Sequence, residues 1–137
     1  MPRFNPFPDA EAAAGWTLRQ ANIASQRVYS SIPTNPVYPL VVLRRIGGQP
    51  AEIHYMDASR IQVDVWGTSK SEAFDIAQAA RVALHGMSGT TLTTGGGAPV
   101  NCYIASVDDD LGMMFMQDSI TGKDRYIFGV QLYVRTP

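Results

Sequence analysis

Between Ala58 and Gly86 the chain changes its hydrophobic period. In Arg60-Ile61-Gln62-Val63-Asp64-Val65-Trp66, apolar and polar residues alternate, as a half-buried antiparallel strand requires. Ile61, Val63 and Val65 face a core; Arg60, Gln62 and Asp64 face away. Gly67 and Thr68 break the strand, and Ser69 with Glu72 three residues later reads as a capping box. From there Ala73, Ile76, Ala77, Ala80 and Leu84 fall on one arc of a 3.6-residue helix, with Gly86 as its stop. The arc is mostly alanine, so this helix can lie close against a sheet.

The same reading extends along the chain. Residues 1–7 form an irregular, proline-containing arm. A helix follows from Pro8 to about Gln20, with Ala12, Ala13, Trp16, Gln20 and Ile23 sharing a face. Arg27 to Ile32 is a short strand. Leu40 to Ile46 is a stronger one; its uninterrupted apolar start implies a central position, paired antiparallel with the strand through Val63. Met87 to Pro99 is rich in glycine and threonine, has almost nothing to bury, and reads as a flexible loop. Asn101 to Val107 is a strand, Asp108-Asp109-Asp110 with Gly112 a turn, and Met113 to Met116 another strand. Asp118 to Asp124 connects a hairpin into the longest strand, Tyr126 to Arg135, with Phe128, Val130, Leu132 and Val134 on one face. No repeat or linker divides residues 1–137. The expected fold is a single α+β domain, a mainly antiparallel sheet with room for a parallel pair, packed against two helices.

Composition narrows the function classes. A chain of 137 residues, 45% hydrophobic and 17% charged, is of ordinary globular make-up. Its formal net charge of -1 argues against binding nucleic acid by phosphate neutralisation, although not against letting DNA pass. The lone Cys102 excludes an internal disulfide and favours a reducing compartment. The N-terminus lacks the apolar core of a secretory signal, and the longest apolar run, Pro39 to Leu43, is too short to span a bilayer. A cytosolic, soluble chain is expected.

Candidate chemistry is thin. Successive aspartates at 108–110 point in different directions and match no calcium-binding loop. Gly95-Gly96-Gly97 does not link a strand to a helix as a phosphate cradle would. Cys102, His54 and His85 have no spacing that requires a nucleophile and base, nor enough ligands for zinc. A small cytosolic enzyme is the distant alternative, one that a pocket joining Cys102, a histidine and an aspartate would revive. No catalytic, cofactor or metal residue is assigned. What stands out is surface: Trp66 and Tyr133 on the polar faces of their strands, Val82 opposite the alanine arc, and Arg44, Arg45, Arg60 and Arg135 near them. This mixture resembles a protein interface; a sheet face covered by the first helix explains it equally well.

The run Val41-Val42-Leu43-Arg44-Arg45-Ile46-Gly47-Gly48, then Asp57 to Trp66, then Ser71-Glu72-Ala73 with Ala77, resembles the tail terminator (tail completion) proteins of long-tailed bacteriophages. The turn Asp118-Ser119-Ile120-Thr121-Gly122-Lys123-Asp124, followed by Arg125 to Val130 and a closing Arg135, is similar to how those proteins finish. The resemblance covers most of the chain from about Pro8, and its motifs are structural. It implies a virion protein without catalytic residues or cofactor, forming a homo-oligomeric ring, hexameric in relatives. The ring caps the tail tube, ends tail polymerisation and faces the head connector, at the head-proximal end of the tail, after assembly in the host cytoplasm. The implied partners are other copies, the tail tube protein and the connector or neck protein, with DNA passing through and no membrane. A neck protein on the head side of the joint is the alternative. Gly89, Thr90, Thr91, Leu92, Thr93, Thr94, Gly95, Gly96 and Gly97 are the candidate partner-binding loop.

Overall fold

The computed structural model describes residues 6–52, 56–95 and 99–137. Its framework is one mixed sheet with two helices on one face. The strands are β1 (Val28–Tyr29), β2 (Leu40–Gly47), β3 (Pro50–Glu52), β4 (Met56–Gly67), β5 (Thr90–Thr93), β6 (Asn101–Phe115) and β7 (Asp124–Arg135); the helices are α1 (Ala10–Gln20) and α2 (Lys70–His85). The sheet order is β1-β2-β4-β7-β6-β5, with β3 a short extension paired to β4. Among the described strands only β1 and β2 run parallel.

Register follows from the alternation. Val63 sits between Leu43 of β2 and Phe128 of β7, and Ile61 and Val65 likewise lie opposite Val130 and Tyr126. Ile61, Val63, Val65, Val41, Leu43, Phe128, Val130, Leu132 and Val134 therefore line one face. That face buries against Ala77, Ala80 and Leu84 of α2 and Ala13, Ala14 and Leu18 of α1. The apolar start of β2 is uninterrupted because both its faces are covered. Val41 and Leu43 meet the helices, while Leu40 and Val42 join Trp66, Tyr29 and Tyr38 on the other side.

The strand-to-helix junction forms as its sequence dictates, with one variation. Ser69 caps α2, its hydroxyl accepting the Glu72 amide at 3.1 Å. Glu72 reaches back not to the cap but one residue earlier, accepting from the Thr68 amide and hydroxyl at 2.8 and 2.9 Å, and these bonds hold its carboxyl below the usual range. Gly67 is required by the close approach of α2: a Cβ there would lie 2.6 Å from the Ala73 nitrogen and 2.9 Å from its Cα. Backbone cannot rotate away, so Gly67→Ala should cost about 1–3 kcal/mol and lower Tm by roughly 4–10 °C in a melting experiment.

Four expectations need correction. Helix α1 starts at a cap on Asp9, whose carboxylate accepts the Ala12 amide, and it buries Ala10, Ala13, Ala14 and Leu18. Ala12 and Gln20 are exposed: the small residues, not the tryptophan, set the closest face. The strand expected over Arg27 to Ile32 is only two residues long, because the chain leaves the sheet edge after Tyr29. The expected loop from Met87 to Pro99 contains an edge strand: Thr90–Thr93 pairs with Ile104–Asn101, Met87 is buried, and the buried Thr94 hydroxyl accepts the Val100 amide. Threonine favours strands, and an edge strand needs little apolar burial. Gly96 and Gly97 lie outside the described residues, as do the first five residues of the expected arm and His54.

The fourth correction concerns the acidic run. Asp108-Asp109-Asp110 is not a turn but the middle of the fifteen-residue β6, which shifts register between Ile104 and Ser106, Asp109 and Leu111, and Leu111 and Met114. Bulges of this kind break the period-two pattern that a continuous strand would otherwise display.

Candidate assembly surfaces

Alternation places Arg44, Arg60, Tyr133 and Arg135 together on the sheet face away from the helices, since they lie in register with Gln62, Gln131, Ala58 and Met56. Arg60 Nε donates to Asp110 at 2.9 Å. The Arg135 guanidinium lies 4.5 Å over the Tyr103 ring, and the Tyr133 hydroxyl donates to Gln131 at 3.4 Å. Arg44 and Arg125 flank the buried Asp64 at 3.7 and 3.9 Å.

The other three proposed surface residues stand apart. Arg45 points to the helix side and grips the buried Asp57 through two bonds, Nη1 to Oδ2 at 2.5 Å and Nη2 to Oδ1 at 2.8 Å, which raise its own pKa. Val82 is 66% exposed on the outside of α2. Trp66 is on the open face but is buried, a correction to its reading as exposed surface. It is covered not by α1 but by residues 30–39, which bring Tyr38 against it, and its indole N–H donates to the buried Asp118 at 2.9 Å.

The acidic run of β6 finds cations from distant elements. Asp109 accepts from Arg81 Nε and Nη2 at 3.0 and 2.6 Å and contacts His85 Nε2 at 2.8 Å, joining α2 to β6. Arg81 first, then His85, hold its carboxyl down at about 2. An acid whose folded pKa is depressed stabilises above its unfolded value, about 3.8, and loses that contribution as pH falls through about 2. Asp109→Asn should therefore melt slightly below the unsubstituted protein at pH 6, by on the order of a degree or two because the pair is exposed. The two should converge near pH 2, a comparison that thermal melts at the two pH values provide.

Cys102 is buried in the core, where desolvation pushes its thiol up, and His85 is engaged with Asp109. Among the described residues no group of three His, Cys, Asp or Glu side chains could hold a metal ion, and no described helix is long and apolar enough to cross a membrane.

One feature of this surface escaped the sequence reading. The sheet end formed by the start of β2, the end of β4 and the β6–β7 turn carries Ile32, Val37, Phe74, Phe115, Met116 and Ile120, all exposed. Phe74 and Phe115 stack edgewise on Tyr126, each at 5.4 Å, and Lys70 caps the Phe115 ring at 4.4 Å. The signal was available: Ile120 is an apolar residue at the centre of a turn that otherwise reads Asp, Ser, Thr, Gly, Lys.

A two-layer domain whose polar side chains tie its own strands and helices together, and six of whose exposed apolar side chains cluster at one end, carries a surface suited to assembly. The chain belongs to the tail completion protein gp17 family, whose profile matches residues 14–110. It is thus a structural protein of the phage tail, virion-associated and not an enzyme. A chain in the solved virion of a native gene transfer agent particle is similar at 17% identity, with a TM-score of 0.55 over 92% of this chain and 94% of that one, a likeness of fold. No curated protein matches the sequence.

Proposed function

We propose that the protein terminates the tail: a ring of its copies caps the head-proximal end of the tail tube, stops polymerisation, and offers its outer side to the head connector. The reading rests on the tail completion family match over residues 14–110. Geometry agrees with six copies. A compact chain of this length has a radius of gyration near 14 Å, hence a diameter of roughly 37 Å as a sphere. Six equal discs leave a central hole about one disc wide, while four leave about 0.4 of that, roughly 15 Å. Duplex DNA needs roughly 20 Å. The net charge of -1 suits a passage that DNA slides through rather than one that holds it.

The test is to assemble tails lacking the protein, add it back, and image the tube ends along their axis. A ring with an open centre and tubes of uniform length are expected. A single copy at the tube end, or a plug without an opening, overturns the proposal.

A further inference from the structure

Strand β6 is fifteen residues long, and β5 covers only its first four: Thr90–Thr93 pairs with residues 101–104. Over residues 105–115 its outer edge faces no other described strand. The last contact on that side is the Gly89 amide, which donates to the Ile104 carbonyl at 2.7 Å; beyond it, among the described residues, no group bonds the outer side of β6. An open edge of this length is a row of free amides and carbonyls with which the edge of another sheet can pair.

Two features oppose such pairing. The three register shifts leave residues 106–109 as the longest run of this stretch in unbroken register with β7, and two of those four residues are aspartates. Asp108, Asp109 and Asp110 are all exposed. Arg60 reaches Asp110 from β4, two strands further in, and Arg81 reaches Asp109 from α2, while Asp108 has no side-chain partner among the described residues. When two such edges pair antiparallel about a two-fold axis, the registers with the greatest overlap set the acidic run against the same run of the other copy. Parallel, in-register pairing does so too. Like charges directly opposite one another destabilise a ladder. The other edge of the sheet is shut by a different device: β1 covers Val41 and Val42 of β2, and beyond them the Arg45 amide is taken by the Glu11 carboxylate of α1 at 2.8 Å.

We infer that Asp108-Asp109-Asp110 keeps the open edge of β6 from pairing with the same edge of another copy. The acidic run lies where the strand is most regular, which is where a ladder would otherwise start. This property belongs to the free chain and does not depend on the terminator reading.

Hydrogen exchange over residues 105–115, followed by mass spectrometry on dilute and concentrated full-length chain without tail tubes, reads the edge directly, because its outward amides are protected only when another strand pairs with them. In the unsubstituted protein the exchange should not depend on concentration. In Asp108→Thr/Asp110→Thr, which keeps Asp109 and its hold on α2, the outward amides should exchange roughly tenfold more slowly, or slower still, at high concentration. Asp108→Lys/Asp110→Lys separates charge from shape. Alone it should behave as the unsubstituted protein does, and an equimolar mixture of the two should gain the protection that neither shows alone. Circular dichroism checks that each variant is folded, and should the threonine variant not fold, the mixture decides. Concentration-dependent protection in the unsubstituted protein would overturn the inference. So would a folded threonine variant that gains none, or a mixture that gains none. None of these results touches the capping of tube ends, which is tested separately.

Discussion

Val63→Asp should yield no soluble folded protein. Val63 is fully buried between Leu43 and Phe128 and beneath α2, where a carboxylate would have no cation or donor to meet. Burying an unpaired charge costs more than the whole stability of a domain this size, unless the group stays neutral or the site opens. Gln62→Asp, one residue away on the opposite face and across from Arg44, should stay folded. Circular dichroism and gel filtration of the two proteins check the pair. A folded Val63→Asp beside an aggregated Gln62→Asp would mean that the register of β4 is off by one residue.

The second large effect lies at the other end of the sheet. Arg45→Ala should destabilise by about 3 kcal/mol, or roughly 10 °C in Tm. Among the described residues it leaves the buried Asp57 carboxylate with the Ser59 hydroxyl alone, at 2.8 Å, as a side-chain donor. The low end of the range applies because the Arg45 side chain is 37% exposed and water can follow it in. Asp57→Asn added to Arg45→Ala should restore part of the loss, since the amide still accepts from Ser59 and carries no charge. Chemical denaturation of the single and double variants measures the difference. A double variant no more stable than Arg45→Ala would show that packing, not the stranded charge, dominates.

How much of this was legible in the sequence depends on how local the cause was. The β4–α2 junction could be read because alternation, cap and alanine arc all lie within thirty residues. The inward face of β7 could be read for the same reason. Strand β5 could not, since its threonines carry no apolar rhythm and it is defined by its partner in β6. Nor could the continuity of β6, because three bulges disrupt its period and the partners that accommodate its aspartates, Arg60, Arg81 and His85, come from β4 and α2. The grouping of Arg44, Arg60, Tyr133 and Arg135 follows from parity alone. The burial of Trp66 depends on residues 30–39 folding back across the sheet, which no period encodes. The turn from Asn22 to Gln26 is equally opaque: Ala24, Ser25 and Gln26 take left-handed backbone angles without a glycine among them.

The pairing of β4 with β7 also dictates when the protein can fold. These two strands share a twelve-residue ladder at the centre of the sheet, yet β4 ends at Gly67 and β7 begins 57 residues later at Asp124. At about 5–20 residues per second, a nascent β4 waits roughly 3–11 s for its neighbour, one long edge open and the inner side of the sheet half built. When β7 does emerge it must insert between β4 and β6 rather than add to an outer edge. Such non-local pairing is slow and leaves apolar strands exposed in the meantime. The central sheet therefore cannot close element by element along the chain; it is complete only once β7 has been made. The interval before β7 docks is when the apolar strands of this chain are most open to aggregation.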